Sequence, residues 1–261
     1  MSTLEPITTS TFAELVLRAQ AQGEEVVSVL AISGDDVANR VLFQSDLTML
    51  GRFHNRFLND EAHELAAEVF HERTPIARGG LFAELHVPTA SLLIFGAGHI
   101  AVPLAEFGAQ LGFDVTVLDD RREFANAERF PTGVDVKILD FAAPLRDVRL
   151  LPSSFVVLVT RAHEYDFECL REIVAQEIQP RYIGMVGSRR RVRAAFTALL
   201  DGGVSQDKLA AIHAPIGLDI GAETPAEIAL SILAEITRVR RGGNNHELRS
   251  KERVLERFFA Q

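Results

Sequence analysis

Gly96, Gly98, His99 and Asp119 have the types and spacing that let a backbone hold a phosphate and a carboxylate hold a ribose. In SLLIFGAGHIAVPLAEFGAQLGFDVTVLDD (91–120), an apolar run over 92–95 ends at Gly96, and Gly98 follows two positions later. A helical pattern over 99–111 closes at Gly112, and a second apolar run, 115–118, ends on Asp119 and Asp120. This is the strand, tight turn, helix, strand and acid of a dinucleotide-binding βαβ unit, with Ala101 in the third small-residue place of G-x-G-x-x-A. Gly96 suits the tight turn, Gly98 the close approach of a phosphate, and the amides and dipole at the helix start favour an anion. Asp119, 21 positions after Gly98, stands where such units place the ribose-binding carboxylate.

Three further clusters follow ends of apolar runs, and ligands of open parallel sheets bind beyond the carboxyl ends of strands. Asp119, Asp120 and Arg121 form one. Thr160, Arg161, His163, Glu164 and Asp166 form another; His163 with Asp166 is an acid–base pair on paper, and a loop histidine capping the next helix is the plainer alternative. Gly184, Gly187, Ser188, Arg189 and Arg190, in IGMVGSRRR, put a second glycine-spaced turn before a helix and arginines in its first turn, where they oppose the dipole by a few tenths of a kcal/mol up to about 1. A phosphate held between amides and guanidinium groups offsets that cost; a solvated basic face is the other reading. His213 and Asp219 lie in HAPIGLDIGAETPAEIA (213–229), a loop organised enough to face a ligand or to serve as a rigid connector. Cys169 falls mid-helix and reads as packed rather than reactive. No H-x-x-x-H or C-x-x-C spacing marks a metal site.

The elements that position these groups read as α/β, a Rossmann-type doubly wound parallel sheet preceded by a small α+β domain. Residues 1–88 hold a helix over 9–22, a strand over 26–32, a turn at 33–36 with a hairpin partner over 40–44, and a helix over 59–70. Residues 89–243 hold strands near 92–95, 115–118, 134–139, 155–159, 182–186 and 210–213. Helices are expected over 99–111, 166–177 and 189–200, and a last one opens at Thr224 with a capping box and Pro225. Residues 244–261 read as a charged helix or tail.

The chain of 261 residues carries a net charge of −9 and one cysteine, which weighs against nucleic acid or an acidic membrane as partner and against an intramolecular disulfide. The apolar stretch 91–113 is interrupted by His99, Glu106, four glycines and a proline, so it reads as βαβ and not as a membrane span. MSTLEPITTS lacks the basic and apolar parts of a signal peptide, and a cytoplasmic location is expected.

FGAGHIAVPLA, VLDDRREFANAERFP, VTRAHEYDFECL, RYIGMVGSRRR and HAPIGLDIGAETPAEIALSILAEI, in this order over 90–242, resemble the XdhC/CoxI family of xanthine dehydrogenase accessory proteins. The resemblance implies a maturation factor that binds the molybdenum cofactor (molybdopterin) during sulfuration and hands it to a xanthine dehydrogenase-like molybdenum hydroxylase. It also implies a homodimer and a cysteine desulfurase as a further partner. Two departures stand in the N-terminal third. The resemblance implies a glycine-rich stretch where TMLGRFHNRFLND (48–60) has only Gly51, and a Cys-Gly-Gly where Arg78 precedes Gly79-Gly80. No thiolate is available there for molybdenum, while pterin or nucleotide binding is untouched. Two other functions use the same glycine pattern, an NAD(P)-dependent oxidoreductase and a non-catalytic nucleotide-binding scaffold.

Overall fold

The computed structural model describes residues 6–244; the C-terminal helix or tail expected over 244–261 lies, but for its first residue, outside them. The chain forms two compact units. One runs to Ser91 and takes in Arg149–Ser154 and Glu177–Arg181; the other holds Leu92–Val148, Phe155–Gln176 and the chain from Tyr182 onward.

In the first unit, α1 (Thr9–Gln22) leads to β1 (Val26–Ala31), β2 (Arg40–Gln44), β3 (Met49–Leu50), α2 (Arg56–Glu72), β4 (Ile76–Arg78) and β5 (Leu81–His86). The strands form an antiparallel sheet in the order β3-β2-β1-β5-β4. Strand alternation divides its apolar residues between two cores. Val27, Val29, Ala31, Val41 and Phe43 pack with Ala62, Leu65, Ala66 and Val69 of α2, while Val26 and Leu42 pack with Ile7 and Ala19. The first helix and hairpin match the expectation from sequence. Strands β3 to β5 have no counterpart in that expectation, although Gly79-Gly80, both at positive φ, form the two-residue turn between β4 and β5. Arg78, in the place of the implied cysteine, ends β4 and pairs with Glu68 at 2.7 Å.

Asp36 holds this unit's longest loop. Only 2% exposed, it accepts hydrogen bonds from the backbone N–H of His54 (3.0 Å) and Asn55 (2.9 Å) and from the Asn39 amide (2.9 Å), with His54 Nδ1 also at 2.9 Å. Burial pushes its pKa up, but these donors outweigh burial and hold the carboxyl well below the usual range. Asp36→Ala removes the acceptor shared by these donors and is expected to destabilise the unit by about 2 kcal/mol, measured by urea unfolding at pH 7. Because the folded pKa is depressed, this contribution is complete above the unfolded value of about 4 and is lost as pH falls below it, so the difference from wild type shrinks in acid.

The second unit is built on β6 (Ser91–Phe95), β7 (Asp114–Asp119), β8 (Asp135–Ile138), β9 (Ser154–Leu158), β10 (Tyr182–Met185) and β11 (Ile212–His213). Their parallel sheet runs β8-β7-β6-β9-β10-β11, the 3-2-1-4-5-6 order of dinucleotide-binding folds. The chain reverses direction across the sheet between β6 and β9, which defines the switch-point crevice. α3 (Ala101–Gln110) packs with α7 (Pro225–Arg241), and α4 (His163–Ala175) with α5 (Arg189–Asp201). A short α6 (Gln206–Ala210), which the sequence expectation lacks, precedes β11. Thr224 and Glu227 form the expected capping box, and Gly242 ends α7 at positive φ. No helix among the described residues is long and apolar enough to cross a membrane.

Candidate functional site

The glycine turn follows β6 and is locked from behind. Gly96 has φ +106°, and a Cβ there would stand 2.5 Å from Val159 O and 3.0 Å from Thr160 Cα, so glycine is required for β6 and β9 to close against each other. Ala97 has both backbone groups engaged by side chains of the 119–129 segment: its N–H donates to Asp119 Oδ2 at 2.8 Å, and its carbonyl accepts from Arg129 at 2.8 Å. Arg129 also donates to Phe124 O, and Arg121 lies 3.6 Å from the centre of the Phe124 ring. Gly98 differs from Gly96 in having nothing within 4 Å of an added Cβ. Its neighbour His99 is exposed, and Ala101 is buried where the helix meets the strand. The outer side of the turn is open and the inner side is fixed, as a phosphate cradle requires.

Asp119 does not face this opening. It is 2% exposed; Oδ1 accepts from Arg121 N and Nε, and Oδ2 from Ala97 N and Arg121 Nη2, all at 2.8–3.0 Å. A carboxylate has about four lone-pair sites, and all four are filled from within the chain. The ribose contact expected of Asp119 is therefore corrected to a structural role, with Arg121 as its partner and not as a ligand group. Burial raises the Asp119 pKa, but Arg121 and the two amides more than reverse this and hold the carboxyl low. Asp120, at the crevice mouth, is paired bidentately with Arg161 at 2.6 and 2.8 Å.

Beyond β9, the Thr160 hydroxyl donates to Ala162 O (2.8 Å) and to Asp166 Oδ1 (2.6 Å). Asp166 is 4% exposed, and burial, opposed by Thr160 and by nearby Arg191, raises its pKa to about 6. The single hydroxyl hydrogen cannot satisfy both acceptors fully, and a protonated Asp166 relieves the conflict by donating itself. His163 is the first residue of α4, exposed beside Glu164 at 3.2 Å, and acts on Asp166 only through its electrostatic field. The expected acid–base pair is thus not assembled as a hydrogen-bonded unit.

Beyond β10, Ser188 caps α5 by accepting from Arg191 N, and Gly187 is half-buried with ordinary space around it. The arginine run divides by direction. Arg191 lies near enough to Asp166 to lower its pKa, whereas Arg189 and Arg190, with Arg193, Ala194 and Thr197, line an open groove of about 590 Å³ along one face of α5. Arg189 and Arg190 therefore sit on that groove, and Arg191 is the arginine on the crevice side. His213 ends β11 with Nδ1 3.1 Å from Glu235 Oε1 and its ring stacked on Tyr182 at 4.5 Å. Glu235 also accepts from Tyr182 OH (2.7 Å) and Gly217 N (2.9 Å), which anchors the loop after β11. Asp219 is exposed on that loop.

The sheet edge thus gathers Gly96, Gly98, Asp120, Thr160, Arg161 and Asp166 at the ends of β6, β7 and β9. Arg129 and Glu235 carry no site signal in the sequence, and Arg191 is not marked apart from the arginines before it; what each does depends on direction and distance, which no local pattern encodes. Among the described residues no group of three or more His, Cys, Asp or Glu side chains is placed to hold a metal, and Cys169 is buried with its thiol pushed well up by desolvation. The open turn and its arginines fit the phosphate end of a molybdopterin; the described residues provide no thiolate for its molybdenum.

Residues 92–236 match the XdhC Rossmann domain. The chain is 31% identical over 237 residues to a protein of Escherichia coli strain K12 named YqeB, which covers 87% of this chain and 40% of that one. It is 33% identical over 162 residues to a probable xanthine dehydrogenase subunit of Bacillus subtilis strain 168 (62% of this chain, 46% of that one). It is 26% identical over 153 residues to the molybdenum cofactor insertion chaperone PaoD of Escherichia coli strain K12 (59% and 41%). The chain thus spans 40–46% of the length of these curated relatives. A crystal structure of a xanthine dehydrogenase from Bacillus halodurans superposes with a TM-score of 0.68 at 26% identity, over 91% of this chain and 69% of that one. With more than half its length matched, the chain belongs to the XdhC family.

Proposed function

We propose that the protein is an accessory factor for a xanthine dehydrogenase-type molybdenum hydroxylase, binding the molybdenum cofactor at the switch-point crevice during sulfuration and insertion. The observation that supports this reading is the open Gly98 turn at the end of β6, in a chain whose relatives carry molybdenum-enzyme and cofactor-insertion names. The role of the crevice is to bind and orient the phosphate end, with turn amides and α3 dipole on one side and Arg161 and Arg191 on the other. The hydroxylase is the receiving partner, and a cysteine desulfurase is the source of the sulfur. An NAD(P) ligand is less well matched, because Asp119, the strand-end carboxylate expected to take ribose hydroxyls, has its acceptor sites filled from within the chain.

The test is an anaerobic calorimetric titration with molybdenum cofactor and, in parallel, with NADH. The cofactor is expected to bind, and Gly98→Val to weaken it about tenfold, equivalent to about 1.4 kcal/mol, by filling the open side of the turn without disturbing the fold. NADH binding with no cofactor binding would overturn the reading.

A further inference from the structure

Two arginine–aspartate pairs stand side by side at the end of β7, and they are built differently. Asp119, the last residue of β7, and Arg121 are two positions apart in the chain, and the carboxylate has every acceptor site filled. Asp120 and Arg161 come from different loops, those after β7 and β9. In the sheet β6 lies between these two strands, so the Asp120–Arg161 link passes over the carboxyl end of β6, where the glycine turn sits. Asp120 also stands 4.0 Å from Arg121, and Arg161, whose Nη1 is 3.9 Å from Asp119, donates a further hydrogen bond to Tyr165 OH at 2.9 Å, with the Tyr165 ring 4.9 Å from its guanidinium. Tyr165 is itself held by stacking on Phe141 at 4.3 Å. The side chains are 38% and 28% exposed, so water reaches the pair and its rupture is cheap. A ligand phosphate at the turn offers Arg161 a stronger acceptor with the same bidentate geometry.

We propose that the Asp120–Arg161 pair is a latch across the glycine turn, opened by a ligand that carries a phosphate for Arg161 and a neighbouring hydroxyl or ring N–H for Asp120. This rests on the crevice being the phosphate site of the function proposed above. Arg161 stays near Tyr165 as it changes acceptor, so the latch opens by a side-chain movement and not by moving a strand. Recognition is then coupled: the phosphate releases the carboxylate that reads the adjacent donor. Nucleotides and pterin phosphates share this chemistry, and probes with and without the second donor separate the two halves of it.

The test is a double-mutant cycle read by calorimetry with inorganic pyrophosphate and with ADP, on the full chain, with circular dichroism confirming that each variant folds. Asp120→Asn unlatches Arg161 and is expected to strengthen pyrophosphate binding about fivefold, while Arg161→Ala weakens it about tenfold. In the Arg161→Ala background the gain from Asp120→Asn is expected to vanish, because no latch remains to release. With ADP, Asp120→Asn gives a smaller gain than with pyrophosphate, since it also removes the acceptor for a ribose hydroxyl. An equal gain in both backgrounds would mean that Asp120 acts only through its field, and a loss on Asp120→Asn would mean a purely structural tie; either overturns the latch while leaving the phosphate site standing. Failure of every variant to bind pyrophosphate and ADP would remove the phosphate site itself, and the proposed function with it.

Discussion

Gly96→Ala is expected to destabilise the Rossmann unit by at least about 3 kcal/mol, whereas Gly98→Ala, two residues away, leaves stability within about 0.5 kcal/mol. The two glycines of one motif do different work. At φ +106° an alanine is strained before any neighbour is considered, and its methyl would meet the Val159 carbonyl at 2.5 Å and its carbon at 2.8 Å. Those atoms are backbone, fixed by the bond from Val159 N–H to Phe95 O at 2.9 Å, so relief requires β6 and β9 to part at the switch point. Gly98 has an ordinary backbone conformation and open space around it. Guanidinium denaturation of the two variants, followed by circular dichroism, separates a glycine needed for folding from one available to a ligand. Equal midpoints for the two variants would sink the distinction.

Glu235→Ala is expected to cost about 3–5 kcal/mol, for a different reason. The carboxylate gathers the Tyr182 hydroxyl, the His213 ring and the Gly217 amide, and these come from the sheet and from the loop after β11. Truncation leaves three donors in a poorly hydrated place and a void beside the fully buried Tyr182. Glu235→Gln keeps one acceptor oxygen and is expected to lose roughly half as much. Burial raises the Glu235 pKa, but Tyr182, Gly217 and His213 together bring it below the ordinary value. Its contribution is therefore complete above the unfolded pKa of about 4.3 and disappears as pH falls through the folded value. Urea unfolding at pH 7 and in acid should show the gap between wild type and Glu235→Gln closing as pH is lowered; a gap that widens would contradict the assignment.

The Rossmann half was legible because its signals are local and repeated. Apolar runs of four or five residues ending on Gly96, Asp119 and Thr160 read as buried parallel strands, and the Thr224-Pro225-x-Glu227 cap announces α7 in four letters. What stayed hidden was direction. Asp119 and Asp120 are adjacent and chemically alike, yet alternation turns one into the loop core and leaves the other at the mouth. Arg189, Arg190 and Arg191 advance about 100° each around α5, and nothing in the run says which one comes within electrostatic reach of Asp166. Helix α4 begins three residues before the expected point because Ala162 at its N-cap gives no capping signal. In the N-terminal unit, the short strand over 76–78 and the strand over 81–86, which carries Glu84 and His86, lack the nearly continuous apolar runs that mark β1 and β2, although Gly79-Gly80 was the available hairpin mark.

The clamp on Ala97 has a thermodynamic consequence for any ligand of the crevice. A loop that must be ordered on binding surrenders conformational entropy at about 1–2 kcal/mol per residue. Here Asp119 and Arg129 hold the two successive peptide groups that flank the Cα of Ala97 before a ligand arrives, so the order has already been set by folding. Affinity at this site is a matter of preorganisation: the cradle stays as it is, and the only parts that change shape are side chains at its rim.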